Sequence, residues 1–287
     1  MKTQLACAAL LLLTQAPGHS LFADQRPGTG APIPFKLIRN FLIVVPVFID
    51  GAGPYEFALD TGTNTTLLDP GFARRLGLRP SDRMLLLTVT GAEAVPRSHL
   101  ARLALGPRSA AEVEVLWVEL GEIRALSPGV CGVLGQNFLS GFNYLIDYRR
   151  RQIQFDEGGE LAENLGGARL PIESDEGRML IAPPAHAPLR LALDSGASGM
   201  VLFEEGARLL APALDGGAYA EVRAGAAGTR VQAGRLPALR LGAETLRDLA
   251  VAVAPGGARA EGGLLPLSLF RAVYFNHREG YLIFNPR

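Results

Sequence analysis

The sequence predicts a mostly-β chain folded as two similar lobes in tandem. One unit is written twice along it, its apolar runs are short and rich in branched residues, and its 34 glycines and 20 prolines in 287 residues supply frequent turns. The duplication is read directly. Phe57-Ala58-Leu59-Asp60-Thr61-Gly62 returns as Leu191-Ala192-Leu193-Asp194-Ser195-Gly196, an offset of 134 residues. The same offset aligns Leu67-Leu68 with Val201-Leu202 and Ala73-Arg74 with Ala207-Arg208. Further on, Gly132-Val133-Leu134 answers to Gly263-Leu264-Leu265, and Ile146-Asp147-Tyr148 to Phe275-Asn276-His277.

Each copy reads as strands in sequence. Phe41 to Ile49 is apolar and branched, Asp50-Gly51-Ala52-Gly53-Pro54 is a turn, and Tyr55 to Leu59 is a second strand. A short helix fits Asp69 to Leu76, with Asp69 as N-cap, Pro70 in the first turn and Gly77 past the end. Thr88 to Glu93 suggests a hairpin tip, followed by strands near 101–105 and 113–118. The second half repeats this with a hairpin over 221–229 and strands near 238–241 and 249–253. Arg149-Arg150-Arg151 interrupts two apolar runs as an exposed turn. The expected organisation is a first lobe over 31–157, a polar Gly-rich linker over 158–168 and a second lobe over 169–287.

The first residues read as an address. Lys2 precedes an apolar stretch from Leu5 to Leu13 and then polar residues, with cleavage placed after Ser20 or after Ala23. That stretch is too short for a bilayer core that needs about 20 apolar residues. Residues 1–23 are therefore expected to be a signal peptide, and the protein to be exported, periplasmic or secreted, without a stable membrane span. Lys plus Arg and Asp plus Glu are each 28. So even a balance argues against a nucleic-acid partner, which needs a cationic surface. Cys131 stands without a partner once Cys7 is removed, and it reads as a small buried hydrophobe.

Of eleven aspartates, only Asp60 and Asp194 open an Asp-(Thr/Ser)-Gly triplet. Each follows an apolar strand, which puts a carboxylate where a buried strand ends in a tight turn. One such triplet is an ordinary capped turn. Two at equivalent places of a repeat change the reading, because a pseudo-twofold axis between the lobes would bring the carboxylates face to face. Like charges about 3 Å apart do not both ionise readily, so such a pair shares one proton. The ionised member takes a proton from water; the protonated member stabilises a developing oxyanion. That chemistry suits amide hydrolysis and needs neither metal nor cofactor. Thr61 and Ser195 are expected to brace the turns across the axis, while Gly62 and Gly196 allow close approach. Thr63, which follows the first triplet, is expected to donate its hydroxyl to Asp60 and favour its charged form, so that Asp60 titrates below Asp194.

On Asp60-Thr61-Gly62, Asp194-Ser195-Gly196 and Val133-Leu134-Gly135, the chain resembles the retropepsin–pepsin superfamily of aspartic proteases, and specifically bacterial exported members with two retropepsin-like units in one chain. The resemblance implies two acid-protease β-barrel lobes, a cleft between them for a peptide or protein substrate, and β-hairpin flaps above it. Thr90-Gly91-Ala92 and the segment holding Gly225 and Ala226 are the flap tips by position. It implies an aspartic endopeptidase, with Asp60 and Asp194 as its dyad, working as a monomer. The alternative is an inactive peptide-binding protein that kept the fold, and a further one is an obligate dimer pairing halves between chains. The motive for the first is Leu264-Leu265-Pro266, where the family's Gly is replaced by Pro, which fixes φ and removes a donor. Distortion of the second lobe is expected there. The histidines His19, His99, His186 and His277 show no metal-ligand spacing, so no metal site is expected.

Overall fold

A computed structural model describes residues 31–88, 91–175, 177–224, 227–255 and 261–285. The expected signal peptide and the flap positions Thr90, Gly225 and Ala226 lie outside these residues, whereas Gly91 and Ala92 open a strand.

The first half contains β1 (Ile33–Pro34), β2 (Lys36–Ile38), β3 (Leu42–Ile49), β4 (Ala52–Leu59) and β5 (Thr66–Leu68), then helix α1 (Pro70–Arg75). There follow β6 (Asp82–Thr88), β7 (Gly91–Leu105), β8 (Arg108–Trp117), α2 (Gly121–Leu126), β9 (Val130–Leu134), α3 (Gln136–Leu139), β10 (Asn143–Asp147) and β11 (Gln152–Asp156). After α4 (Glu160–Leu165) come β12 (Arg169–Pro171), β13 (Glu173–Asp175), β14 (Arg178–Ile181), β15 (Leu191–Asp194), β16 (Met200–Phe203) and α5 (Glu204–Leu210). The chain closes with β17 (Ala213–Ala224), β18 (Ala227–Leu241), β19 (Glu244–Ala254), β20 (Gly263–Pro266), β21 (Ala272–Asn276) and β22 (Tyr281–Phe284).

Two eight-stranded sheets carry the repeat. Their orders are β2-β3-β4-β9-β5-β8-β7-β6 and β13-β14-β15-β20-β16-β19-β18-β17. Read position by position, every strand of the first has its counterpart in the second, so the duplication seen in the sequence is a duplication of topology. The barrel-like curl leaves central strands covered on both faces, which is why β3 is apolar and buried almost throughout instead of alternating. The hairpins expected over 88–93 and 221–229 are β6–β7 and β17–β18, paired as far as Thr88↔Gly91 and Ala224↔Ala227.

Local signals were accurate at α1. The Asp69 carboxylate accepts from the backbone N–H of Phe72 at 3.1 Å, Pro70 occupies the first turn, and Gly77 follows the helix at φ +74°. Arg149, Arg150 and Arg151 form the exposed turn between β10 and β11, with Arg150 paired to Asp147.

Less visible in the sequence is a six-stranded sheet of order β1-β11-β10-β21-β22-β12, which draws three strands from each half. Its centre is the antiparallel pair β10–β21, with Tyr144 opposite Phe275 and Ile146 opposite Val273. The stretch expected as linker is not extended. Asp156 accepts the N–H groups of Gly159, Leu161 and Ala162, nucleating α4, whose Ala162 and Leu165 pack with Leu145, Tyr274 and Ile283 of this shared sheet. Among the described residues no helix is long and apolar enough to cross a membrane.

Candidate active site

Both triplets sit where a strand ends beside a parallel neighbouring strand of its own lobe. In the first, β4 runs parallel to β9, Leu59 lies opposite Leu134, and the N–H of Asp60 donates to the Leu134 carbonyl at 3.1 Å. In the second, β15 runs parallel to β20, with Asp194 opposite Pro266. Each aspartate then closes its own turn. The Gly62 N–H donates to Asp60 Oδ1 at 2.8 Å, and the Gly196 N–H to Asp194 Oδ1 at 2.8 Å.

The turns interlock through the residues between Asp and Gly. Thr61 N–H donates to Ser195 Oγ, and Ser195 N–H donates to Thr61 Oγ1, each at 3.0 Å. The two hydroxyls continue across: Thr61 Oγ1 donates to the Leu193 carbonyl at 2.9 Å and Ser195 Oγ to the Leu59 carbonyl at 3.0 Å. Both residues are completely buried. Four hydrogen bonds at about 1 kcal/mol each would therefore hold the turns in one register.

The glycines face the opposite aspartate. A Cβ placed on Gly62 would stand 2.7 Å from Asp194 Cγ, and one on Gly196 would stand 2.9 Å from Asp60 Cγ. Any side chain at either position would push the carboxylates apart. The Asp194 carboxyl titrates well above its ordinary value, first because the turns desolvate it and second because of the Asp60 charge. The expected contact of Thr63 is present, its hydroxyl donating to Asp60 Oδ2 at 2.6 Å. At the matching place in the second lobe, Ala197 offers its backbone N–H to Asp194 at 2.8 Å.

This geometry fits the aspartyl protease profile, which matches residues 45–138 and again 185–268. The chain belongs to the aspartyl protease family. The two matched segments are the two copies read from the sequence, each holding one triplet. No curated protein matches the chain. Solved structures similar to it include a retropepsin-like aspartic protease from Rickettsia conorii, 17% identical, covering 44% of this chain and 89% of that one at a TM-score of 0.32. Another is basic 7S globulin from soybean, 10% identical, covering 89% of this chain and 94% of that one at a TM-score of 0.48. The family's two-unit retropepsin-like fold stands here on the matched strand orders and the doubled profile.

The distortion expected at Pro266 is absent. β20 remains paired up to Asp194, and the Thr61–Ser195 bonds close normally. In the first lobe Gly135 is required, since a Cβ there would meet Thr65 C at 2.7 Å and Thr63 O at 2.9 Å. Pro266 holds an extended φ of −64° and ψ of 127°, a conformation its ring favours, and leads into a 3-10 turn over Leu267–Leu269.

Cys131 takes no part. Burial pushes its thiol up to about 12, and its sulfur faces the Glu56 carbonyl at 3.5 Å. One contributor escaped the sequence reading. Gln136 donates from Nε2 to the Thr61 carbonyl at 2.9 Å, and its own N–H donates to the Thr63 carbonyl at 2.8 Å, so it clamps the first turn from beneath. Its place directly after Gly135, with Leu267 as the counterpart, was the available signal.

Proposed function

We propose that the protein is an aspartic endopeptidase that hydrolyses peptide bonds with a water activated between Asp60 and Asp194. The observation that carries this reading is the crossed pair: two half-buried carboxyls, each walled by the other lobe's glycine. Asp194 is the member that keeps the proton. Ionised Asp60, held by the Gly62 N–H and the Thr63 hydroxyl, takes a proton from the water as its oxygen attacks the carbonyl carbon. The Asp194 proton meets the carbonyl oxygen, so the tetrahedral intermediate forms without a free oxyanion. Collapse passes the proton on Asp60 to the leaving nitrogen and one hydroxyl proton of the intermediate back to Asp194, so the C–N bond breaks as the carbonyl re-forms and both carboxyls return to their starting states.

One chain supplies both aspartates, which supports a monomer acting on a peptide or protein between the lobes. The apolar Leu5–Leu13 stretch after Lys2 supports export to the periplasm or the medium. Incubating the purified chain with a mixed peptide library tests the function. Cleavage that disappears in Asp194→Asn is expected; peptide binding without products would favour the inactive binding protein.

A further inference from the structure

Duplication makes each lobe a template for the other, and the template singles out a cavity of about 520 Å³ in the second lobe. It is lined by α5, the β17–β18 hairpin and the end of β19. Leu68 of β5 stands opposite Trp117 of β8, and Leu202 of β16 opposite Val253 of β19. Because Leu68 and Leu202 are equivalent in the repeat, Val253 holds the place of Trp117. Trp117, the one tryptophan of the chain, is 7% exposed, and its Nε1 donates to Ser98 Oγ at 2.8 Å. In the second lobe the ring is missing, Gly234 stands at the register position of Ser98, and Val253 lines the cavity. The helices agree. Ala73 of α1 is fully buried, whereas its counterpart Ala207 of α5 is half-buried and lines the same cavity. A space that an indole fills in one lobe is thus open in the other, at a volume ordinary for a small-molecule site.

The charges of the lining say what else an occupant carries. Arg208 of α5 and Arg230 of β18 line the cavity with Glu204, and among the described residues none of the three makes an ion pair. Two cations against one carboxylate leave a net positive charge. The Arg230 guanidinium lies 3.9 Å from the ring centroid of Tyr219, which is itself 49% exposed. We propose that this cavity binds a small aromatic carboxylate, its ring taking the place that the Trp117 indole fills in the first lobe and its carboxylate pairing with Arg208 and Arg230. Ring burial against Ala207 and Val253 supplies the apolar gain, and the guanidinium fork matches a carboxylate with two parallel N–H donors. No residue of either Asp-(Thr/Ser)-Gly turn lines the cavity, so the site is separate from the Asp60–Asp194 pair and does not rest on the peptidase reading.

Calorimetric titration of the whole chain with indolepropionate tests the proposal, since that probe joins the side-chain ring of Trp117 to a carboxylate. One-site binding with Kd below about 1 mM is expected, and no binding at about 10 mM would overturn the site. Methylindole, which lacks the carboxylate, should bind at least about tenfold more weakly, and Arg208→Gln and Arg230→Gln should each weaken indolepropionate by a similar factor. Affinity that ignores all three changes would overturn it too. Val253→Trp copies the first lobe and is expected to abolish binding by filling the cavity. Undiminished binding to a folded Val253→Trp chain would place the probe elsewhere. Should that variant fail to fold, the two arginine variants, altered at exposed positions, still decide. A purified chain that dimerises, and that Arg208→Gln returns to monomer, would give the cavity to a second copy and overturn the proposal.

Discussion

The Asp60 and Asp194 turns are built on the same strand order yet are supported unequally. The Asp60 turn receives a side-chain hydroxyl from Thr63, an amide from Gln136, and a Gly135 that nothing larger could replace. The Asp194 turn is held by the backbone N–H groups of Gly196 and Ala197, with Pro266 and Leu267 where the other lobe has Gly135 and Gln136. Duplication preserved the four hydrogen bonds that Thr61 and Ser195 make across the two turns, which need both copies. It let the flanking groups diverge, and under the proposed mechanism that divergence suits different tasks, Asp194 holding the proton and Asp60 receiving one.

The largest effect expected is on turnover. Asp60→Asn and Asp194→Asn should each reduce peptide hydrolysis by at least about 100-fold, since each removes a proton-transfer partner. A variant retaining most of the activity would show that one turn works alone and break the comparison. Next come the shared bonds. Thr61→Val and Ser195→Ala should each cost about 2–3 kcal/mol in urea unfolding, as two hydrogen bonds go and a buried partner is left unpaired. Similar losses are expected because the exchange is reciprocal; a large difference would mean that one lobe carries the junction.

The raised Asp194 pKa gives a sign to the stability profile. A carboxyl whose folded-state pKa lies above its unfolded value of 3.8 loses stability as pH rises through the interval between them. Asp194→Asn removes that loss. Its melting temperature should exceed the wild-type value at neutral pH, and the gap should close as the pH falls towards 3.8. A gap that widens on acidification would place the proton elsewhere. Pro266→Gly is expected to do least. It restores the family residue, changes stability by under about 1 kcal/mol and leaves turnover as it was. A clear rise in activity would mean that the second lobe is impaired after all.

Much of this was legible because it is local. Asp60 and Asp194 announce themselves as the repeated triplet, and the cap of α1 follows from Asp69, Pro70 and Gly77 within one short stretch. The six-stranded sheet was not legible, because alternation along β10 or β21 reports that a face is buried and not which distant strand covers it. The helix inside the expected linker, 158–168, was hidden for a related reason. Their paired glycines look like a linker, but Leu161, Ala162 and Leu165 are spaced for a helix, and the capping carboxylate is Asp156, outside that stretch. Gln136 was overlooked because its role depends on a carbonyl 75 residues away.

In the proposed mechanism the two turns make one proton-sharing pair. Carbon-13 titration of the aspartate carboxyls, assigned through Asp60→Asn and Asp194→Asn, tests it most directly. The expected result is two separated, coupled steps, with Asp194 still protonated well above 3.8 and its midpoint falling when Asp60 becomes Asn. Independent titration of both carboxyls near 3.8, unaffected by loss of the other, would contradict it.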